Sequence, residues 1–175
     1  MFLTYPLIVV HGYFKDSPIF SVSAWVKMNG LSDWNNIISK YLSGTNYISL
    51  EVGGSGQGGN DDLNFCVSNG SDSCGNTSSD FLVTGTWYFI SGVYDGSQST
   101  NAEKLKLYVN GAQQNLTYSS AIPSSSGNNS STVKIGFITG SIYFDGQIDE
   151  VKIYNYPLTE EQIKLDHAQG AVRFE

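Results

Sequence analysis

Basic residues are scarce in this chain, and their scarcity excludes one class of partner. Lysine and arginine together number 9 against 16 aspartates and glutamates, and Arg173 is the only arginine. The formal net charge at pH 7 is −7. Proteins that follow a nucleic acid backbone neutralise its phosphates with clustered lysines and arginines. We therefore expect no nucleic acid partner.

Histidine is almost absent, which argues against an enzyme. The chain has 2 histidines, His11 and His167, near its two ends, and no nucleophile-elbow motif accompanies either. A serine or cysteine triad needs a histidine within hydrogen-bond reach of its nucleophile. A zinc site is disfavoured as well, because both histidines are remote from the cysteines and no second cysteine pair exists.

Cysteine is also rare, and Cys66 and Cys74 are the only pair. They frame the segment VSNGSDS at the ends of a predicted hairpin, where facing residues approach to disulfide distance. We predict a Cys66–Cys74 disulfide, with two unpaired buried thiols as the alternative. The disulfide would place the chain in an oxidising compartment.

No apolar run approaches the roughly 18 residues of a membrane span. The most apolar segment, FLTYPLIVV at residues 2–10, is interrupted by Pro6. It lacks the basic region and the small-residue cleavage site of a signal peptide. We interpret it as a strand, which Pro6 would place at a sheet edge.

Aromatic and neutral polar residues are what the chain has in abundance. Its 175 residues include 11 Tyr, 9 Phe and 3 Trp, whereas charged residues make up only 14%. Aromatic residues favour strands, and a surface of serine, threonine, asparagine and glycine is common in extracellular proteins. The length suits one domain. We predict a single domain over 1–175, with its core within about 19–166.

The segment from Trp87 to Gly111 predicts a β-hairpin around which the domain is organised. Its two runs, TWYFISGVYDG and EKLKLYVNG, alternate apolar residues with small or polar ones. Alternation with period two buries one face of a strand. The turns at Asp95-Gly96 and Asn110-Gly111 supply the positive-φ positions that tight turns need.

Short strands separated by turn signals are predicted along the rest of the chain. In the first of them, Phe20, Val22, Ala24 and Val26 alternate with other residues, which predicts a half-buried strand. The pattern favours an all-β fold, a two-sheet antiparallel jelly-roll sandwich. The predicted strands span 19–28, 36–42, 46–52, 62–67, 81–83, 86–94, 104–110, 116–122, 133–139, 142–145 and 148–154.

One short C-terminal helix is predicted over 157–166. Thr159 and Gln162 have the spacing of a capping box, and acidic residues in the first turn suit the positive end of the helix dipole. Leu158 and Ile163 would pack the helix against the sandwich.

Three blocks of sequence resemble laminin-G-like domains of the concanavalin A-like lectin/glucanase superfamily. They are FSVSAWVK at 20–27, the hairpin at 87–111, and FDGQIDEVKIYN at 144–155, in the family's order. The resemblance implies a jelly-roll sandwich with a short helix after the closing strand. It implies less about function, because this fold hosts many activities.

The resemblance also implies a structural calcium ion. In many relatives the aspartate of a Gly-x-Ile-Asp-Glu-Val block binds Ca²⁺ together with carbonyls from the opening turn, and calcium takes such oxygen ligands. The matching residue here is Asp149, and Gly12 is the candidate carbonyl donor. Asp61 and Asp62 form a second candidate. The alternative is that Asp149 binds only backbone.

Glycosidases of the same fold group place paired carboxylates on one strand, facing the cleft. The nearest approach in this sequence is Asp145, Asp149 and Glu150. The adjacent Asp149 and Glu150 would point to opposite faces of a regular strand. We therefore predict no catalytic residues.

A loop tryptophan marks the candidate ligand site. Glycans stack their apolar faces on aromatic rings, while asparagine and aspartate bind their hydroxyls. Trp34 falls between predicted strands, with Asp33, Asn35 and Asn36 beside it. We predict that these four residues face a ligand, with a tryptophan packed over the sheet edge as the alternative.

Asn-x-Ser/Thr sequons fall at predicted turns or loops, where an attached glycan would be accessible. They are Asn69, Asn76, Asn115, Asn128 and Asn129.

The leading hypothesis is a non-catalytic extracellular or cell-surface module that binds a glycan or glycoprotein. Its rival is a structural subunit or decoration of an extracellular fibre, which self-associates when residues 2–10 add a strand to a neighbour's sheet. A third hypothesis, a glycoside hydrolase, needs two carboxylates in one cleft.

Overall fold

Eleven strands and two helices form within the residues that the computed structural model describes, 14–31, 35–53, 62–78, 82–127, 129–140 and 143–171. The helices are α1 (Asn101–Lys104) and α2 (Glu160–Ala171), and neither is long and apolar enough to cross a membrane. The predicted strand at residues 2–10 lies outside the described ranges. The strands are β1 (Ile19–Met28), β2 (Asn35–Ser43), β3 (Asn46–Val52), β4 (Leu63–Asn69), β5 (Cys74–Asn76), β6 (Trp87–Asp95), β7 (Leu105–Val109), β8 (Ala112–Gln113), β9 (Thr117–Tyr118), β10 (Lys134–Ile135) and β11 (Gly146–Tyr154).

The strands form two sheets that pack face to face. The five-stranded sheet has the order β11-β1-β6-β7-β8 and the six-stranded sheet the order β10-β2-β3-β4-β5-β9. Every pairing is antiparallel. Apolar residues of both inner faces, such as Phe20, Leu50, Phe65 and Ile90, form the core between the sheets. The predicted jelly-roll sandwich is confirmed.

The prediction that β1 is half-buried is wrong, because both of its faces are covered. Ser21 and Ser23 are 0% exposed and Trp25 is 4% exposed. The reason is α2, which packs on the outer face of the five-stranded sheet through Ile163. A Cβ on Gly170 of this helix would lie 2.0 Å from Nε1 of Trp25, so the close packing requires glycine.

The capping box of α2 is confirmed. The backbone N–H of Gln162 donates to Oγ1 of Thr159 at 3.3 Å, and the N–H of Thr159 donates to Oε1 of Gln162 at 2.9 Å. The helix continues to Ala171, past the predicted end at 166. Contacts of its last turns with Trp25 offset the low helix propensity of Gly170.

Several predicted strands are shorter in the structure or missing. Residues 82–83 form no strand, only 117–118 of the predicted 116–122 pair, and only 134–135 of 133–139 belong to a ladder. The short strand β8 was not predicted, and β5 was predicted only as the arm of the hairpin that ends at Cys74. Such two- and three-residue strands are defined by their partners, since their own sequences are too short to show a period.

The disulfide between Cys66 and Cys74 is confirmed. The two residues lie directly opposite each other on the antiparallel strands β4 and β5. Both are buried, at 0% and 2% exposed. The bridge therefore closes the loop between these strands on the outer face of the six-stranded sheet.

Removing this disulfide should destabilise the domain modestly. Closing so short a loop restricts the unfolded chain by about 2–3 kcal/mol. The double variant Cys66→Ala/Cys74→Ala should therefore show a lower urea midpoint, and the wild type should match it when reduced. Equal midpoints for the oxidised wild type and the double variant would contradict this prediction.

Candidate functional site

The outer face of the six-stranded sheet is polar, in contrast to the outer face of the five-stranded sheet, which α2 covers with apolar contacts. Neighbouring strands align four polar residues in register, each opposite the next. All of them are at most 5% exposed. This polar row consists of Asn36, Glu51, Asn64 and Asn76.

The alternation of β3 explains why this face is polar. Ile48, Leu50 and Val52 belong to the core between the sheets. The intervening residues, among them Tyr47 and Glu51, therefore face outward. An interior-facing apolar set and an exterior polar set thus come from one seven-residue strand.

A cavity of about 250 Å³ opens at one end of this face. Its walls are half-buried tyrosines, its rim is exposed and its floor is buried. The lining residues are Tyr41, Gly44, Tyr47, Glu51, Asp72, Ile138 and Thr139.

Two tyrosines form one wall of the cavity. Tyr41 and Tyr47 lie opposite each other on β2 and β3. Their ring centroids are 5.9 Å apart and the ring planes are inclined by 42°. Apolar ring faces beside polar groups are the surfaces on which sugar rings stack.

Asp72 is held at the rim by several contacts. The hydroxyl of Tyr47 donates to Oδ1 of Asp72. The hydroxyls of Ser119 and Ser120 donate to the carbonyl oxygen of Asp72 at 3.2 and 2.8 Å. The disulfide closes the loop that contains Asp72, and the hydroxyl of Tyr47 lies 3.5 Å from Sγ of Cys74.

Burial raises the pKa of Tyr47, and the hydrogen bond to Asp72 raises it further. The phenol therefore stays protonated at physiological pH. It acts as the hydrogen-bond donor that fixes the orientation of the carboxylate.

Glu51 lies at the floor of the cavity and is 1% exposed. Nδ2 of Asn36 donates to its Oε2 at 2.9 Å. Burial raises the pKa of Glu51 to about 7, the hydrogen bond from Asn36 opposes the rise, and the charges of Asp72 and Asp62 add to it. Near neutral pH this carboxyl group can both donate and accept hydrogen bonds.

One of the four predicted ligand residues lies next to the floor of the cavity, although it is not among the described lining residues. Asn36 belongs to the polar row beside Glu51. Asn35 instead binds backbone, since its Nδ2 donates to the carbonyl of Gly30 at 3.2 Å and its Oδ1 accepts from the N–H of Asp145 at 3.0 Å. Trp34 and Asp33 lie outside the described residues.

The assumption of a regular strand around Asp149 is wrong. Between Trp25 and Ser23 of β1, β11 carries one extra residue, and Glu150 adopts a φ of 47°. This β-bulge leaves Asp149 exposed, and its Oδ1 accepts the N–H of Glu150 at 2.8 Å.

Asp149 supplies a single carboxylate for the predicted calcium site. The described residues contain no group of three or more His, Cys, Asp or Glu side chains that could hold a metal ion. The candidate carbonyl donor Gly12 and the second candidate Asp61 lie outside those residues, and Asp62 is buried. Calcium binding stays a prediction.

The expectation that all five sequons are accessible is wrong for two of them. Asn76 lies in β5 and is 5% exposed, because it belongs to the polar row. Asn129 is 1% exposed, and its Nδ2 donates to the carbonyls of Lys40 and Asn46. Asn69 and Asn115 are exposed, and Asn128 lies outside the described residues.

Comparison with known families decides the classification. Residues 9–164 match the laminin G model of the concanavalin A-like lectin/glucanases superfamily. The match spans most of the chain and includes both sheets. The chain belongs to this superfamily.

Solved structures share the superfamily fold at low identity. Domain 4 of AbnA, an extracellular arabinanase from Geobacillus stearothermophilus in complex with arabinotriose, is 22% identical, with a TM-score of 0.62 over 93% of this chain and 72% of that one. The CBM40 of the Ruminococcus gnavus IT-sialidase, bound to α2,3 sialyllactose, is 12% identical, with a TM-score of 0.64 over 84% and 82%.

A third similar structure is the SAP-like pentraxin from Limulus polyphemus. It is 17% identical, with a TM-score of 0.59 over 85% of this chain and 69% of that one. No curated protein matches the chain. These structural likenesses establish the fold.

The sequence analysis did not identify the residues that line the cavity, although the pattern of one predicted strand indicated two of them. The predicted strand 46–52 has the bounds of β3, and its outward set contains Tyr47 and Glu51. Asp72 carried no such signal, since it lies in a loop and reaches Tyr47 only through pairing of the strands.

Proposed function

We propose that this superfamily member is a non-catalytic module that binds a glycan in the cavity on the six-stranded sheet. One observation carries the proposal: two tyrosine rings stand beside the carboxylates of Glu51 and Asp72 in a single cavity. The rings offer stacking surfaces for the apolar face of a sugar, and the carboxylate of Asp72, exposed at the rim, accepts hydrogen bonds from its hydroxyls.

Arabinotriose and α2,3 sialyllactose are bound by two structures with this fold, which supports glycan recognition as the class of function. Preorganisation supports it too, because Tyr47 and the two serines hold Asp72 before any ligand arrives. Groups fixed in advance lose little conformational entropy on binding.

A glycoside hydrolase is the second candidate, because Glu51 and Asp72 line the same cavity. A carboxyl group with a pKa of about 7 suits a general acid. Two contacts favour binding over hydrolysis. Asp72 is engaged by the hydroxyl of Tyr47, and Glu51 is buried beneath the cavity and bound by Asn36.

Tyr47→Ala should weaken glycan binding by about fivefold or more, since a central aromatic contact typically contributes more than about 1 kcal/mol. The test is a glycan array followed by calorimetric titration of the strongest binder. Tyr156→Ala is the matched control, because Tyr156 is an exposed tyrosine next to the five-stranded sheet. An equal loss of glycan affinity in both variants, or no loss in either, would contradict the proposed site.

The same titration separates binding from hydrolysis. A binding module returns its glycan intact after prolonged incubation. New reducing ends that vanish in Glu51→Gln would instead identify a hydrolase and place its acid at Glu51.

We further propose an extracellular or cell-surface location. The disulfide supports it, because such bridges persist in oxidising compartments. Calcium at Asp149 is retained as a proposed structural ion, since the exposed carboxylate at the β-bulge is a suitable oxygen ligand. Fibre assembly through residues 2–10 is the rival proposal, and it concerns residues outside the described ranges.

A further inference from the structure

The charged groups around the cavity affect which glycans can bind in it. The inference drawn from them rests on the proposed function. Among the residues that the structure describes, seven line the cavity, and they include two carboxylic acids but no lysine, arginine or histidine. We infer that the cavity selects neutral glycans with adjacent hydroxyl groups and rejects glycans that carry a carboxylate.

The acidic groups act on the cavity together. Asp72 and Glu51 line the same cavity, one at its rim and one at its floor. Asp72 is exposed at the rim, where an entering ligand meets it. A ligand carboxylate would be repelled by Asp72 there, because like charges brought together across an interface weaken binding.

Two lysines lie on the neighbouring strands, and neither is among the described residues that line the cavity. The ammonium of Lys134 on β10 donates to the carbonyl of Ile138 at 2.9 Å and lies 4.5 Å from the centre of the Phe137 ring. Lys40 on β2 lies opposite Ile48, a core residue, and is 2% exposed. Its place in the register directs it away from the cavity.

Neutral sugars fit the same groups favourably. A carboxylate has about four acceptor positions, so Asp72 can accept hydroxyl groups in addition to the phenol of Tyr47. Hydrogen bonds to an ionised acceptor are roughly twice as strong as neutral ones. A pair of adjacent hydroxyls could therefore bind Asp72 while the ring stacks on a tyrosine.

The experiment is an array of neutral oligosaccharides, each paired with a sialylated or uronic acid counterpart, lactose with α2,3 sialyllactose among them. The full chain should bind neutral members at least about tenfold more tightly than their anionic partners at low salt. The preference should shrink at 1 M salt, where the screening length falls to about 3 Å.

Asp72→Asn should bring the affinities for the two members of each pair to within a few-fold of each other, because it removes the charge at the rim. Asparagine keeps the size of the side chain and an acceptor for Tyr47. Glu160→Gln is the control, since it removes the same charge from an exposed position on α2 and should leave the preference unchanged.

The outcomes separate the inference from the proposed function. Failure to bind any glycan would overturn both. Binding at Tyr47 with anionic members equal to or stronger than neutral ones would overturn charge selection and leave glycan recognition standing. A preference that survives Asp72→Asn, or is lost equally in Glu160→Gln, would also overturn it.

Discussion

Replacing Glu51 with glutamine should abolish a pH-dependent loss of stability of about 3 kcal/mol. The carboxyl group has an ordinary pKa of 4.5 and a folded-state pKa of about 7. Because the folded state binds this proton more tightly, the protonated group stabilises the fold below pH 4.5. That contribution is lost as the pH rises from 4.5 through 7, at up to about 1.4 kcal/mol per pH unit.

Urea denaturation at pH 4.5 and pH 8 tests this expectation. The difference in free energy of unfolding, wild type minus Glu51→Gln, should fall by about 3 kcal/mol between the two values. Glutamine keeps an oxygen acceptor for Asn36, so the variant should fold. Glu160→Gln, at an exposed carboxyl group on α2, should show a nearly constant difference. If the difference in free energy of unfolding between wild type and Glu51→Gln is the same at both pH values, the folded-state pKa of Glu51 is not raised.

Ile163→Ala should destabilise the domain by about 2–4 kcal/mol, because it removes a fully buried side chain and leaves a cavity. Ile163 is 0% exposed and packs in the cluster with Trp25, Phe89 and Leu158 on the outer face of the five-stranded sheet. The loss would show that α2 is part of the folded unit. Urea or thermal denaturation measures it.

Leu165→Ala is the matched control on the same helix. Leu165 is 58% exposed, so truncating it should change the stability by less than about 0.5 kcal/mol. Equal effects at both positions would mean that the packing of α2 is not the cause. A negligible effect of Ile163→Ala would contradict the covered outer face.

Local features of the fold were predictable from sequence. The capping box of α2 depends on Thr159 and Gln162, three residues apart, and the disulfide on a short hairpin between Cys66 and Cys74. The bounds of β3 follow from a clear alternation within seven residues. Each signal lies within one short stretch of chain, where propensity and period decide the outcome.

The candidate site was not predictable because it depends on register between strands. Asn36, Glu51 and Asn64 look unrelated in sequence, and only pairing of β2, β3 and β4 aligns them. Burial of both faces of β1 depends on α2, far along the chain. Asn36 was predicted as a ligand residue for its closeness to Trp34, whereas its place beside Glu51 comes from the sheet.

A crystal structure of the chain with the strongest neutral glycan from the array tests the central claim most directly. We predict a sugar ring stacked on Tyr41 or Tyr47 in the cavity, with adjacent hydroxyls donating to Asp72. A glycan bound elsewhere, with this cavity empty, would contradict the account.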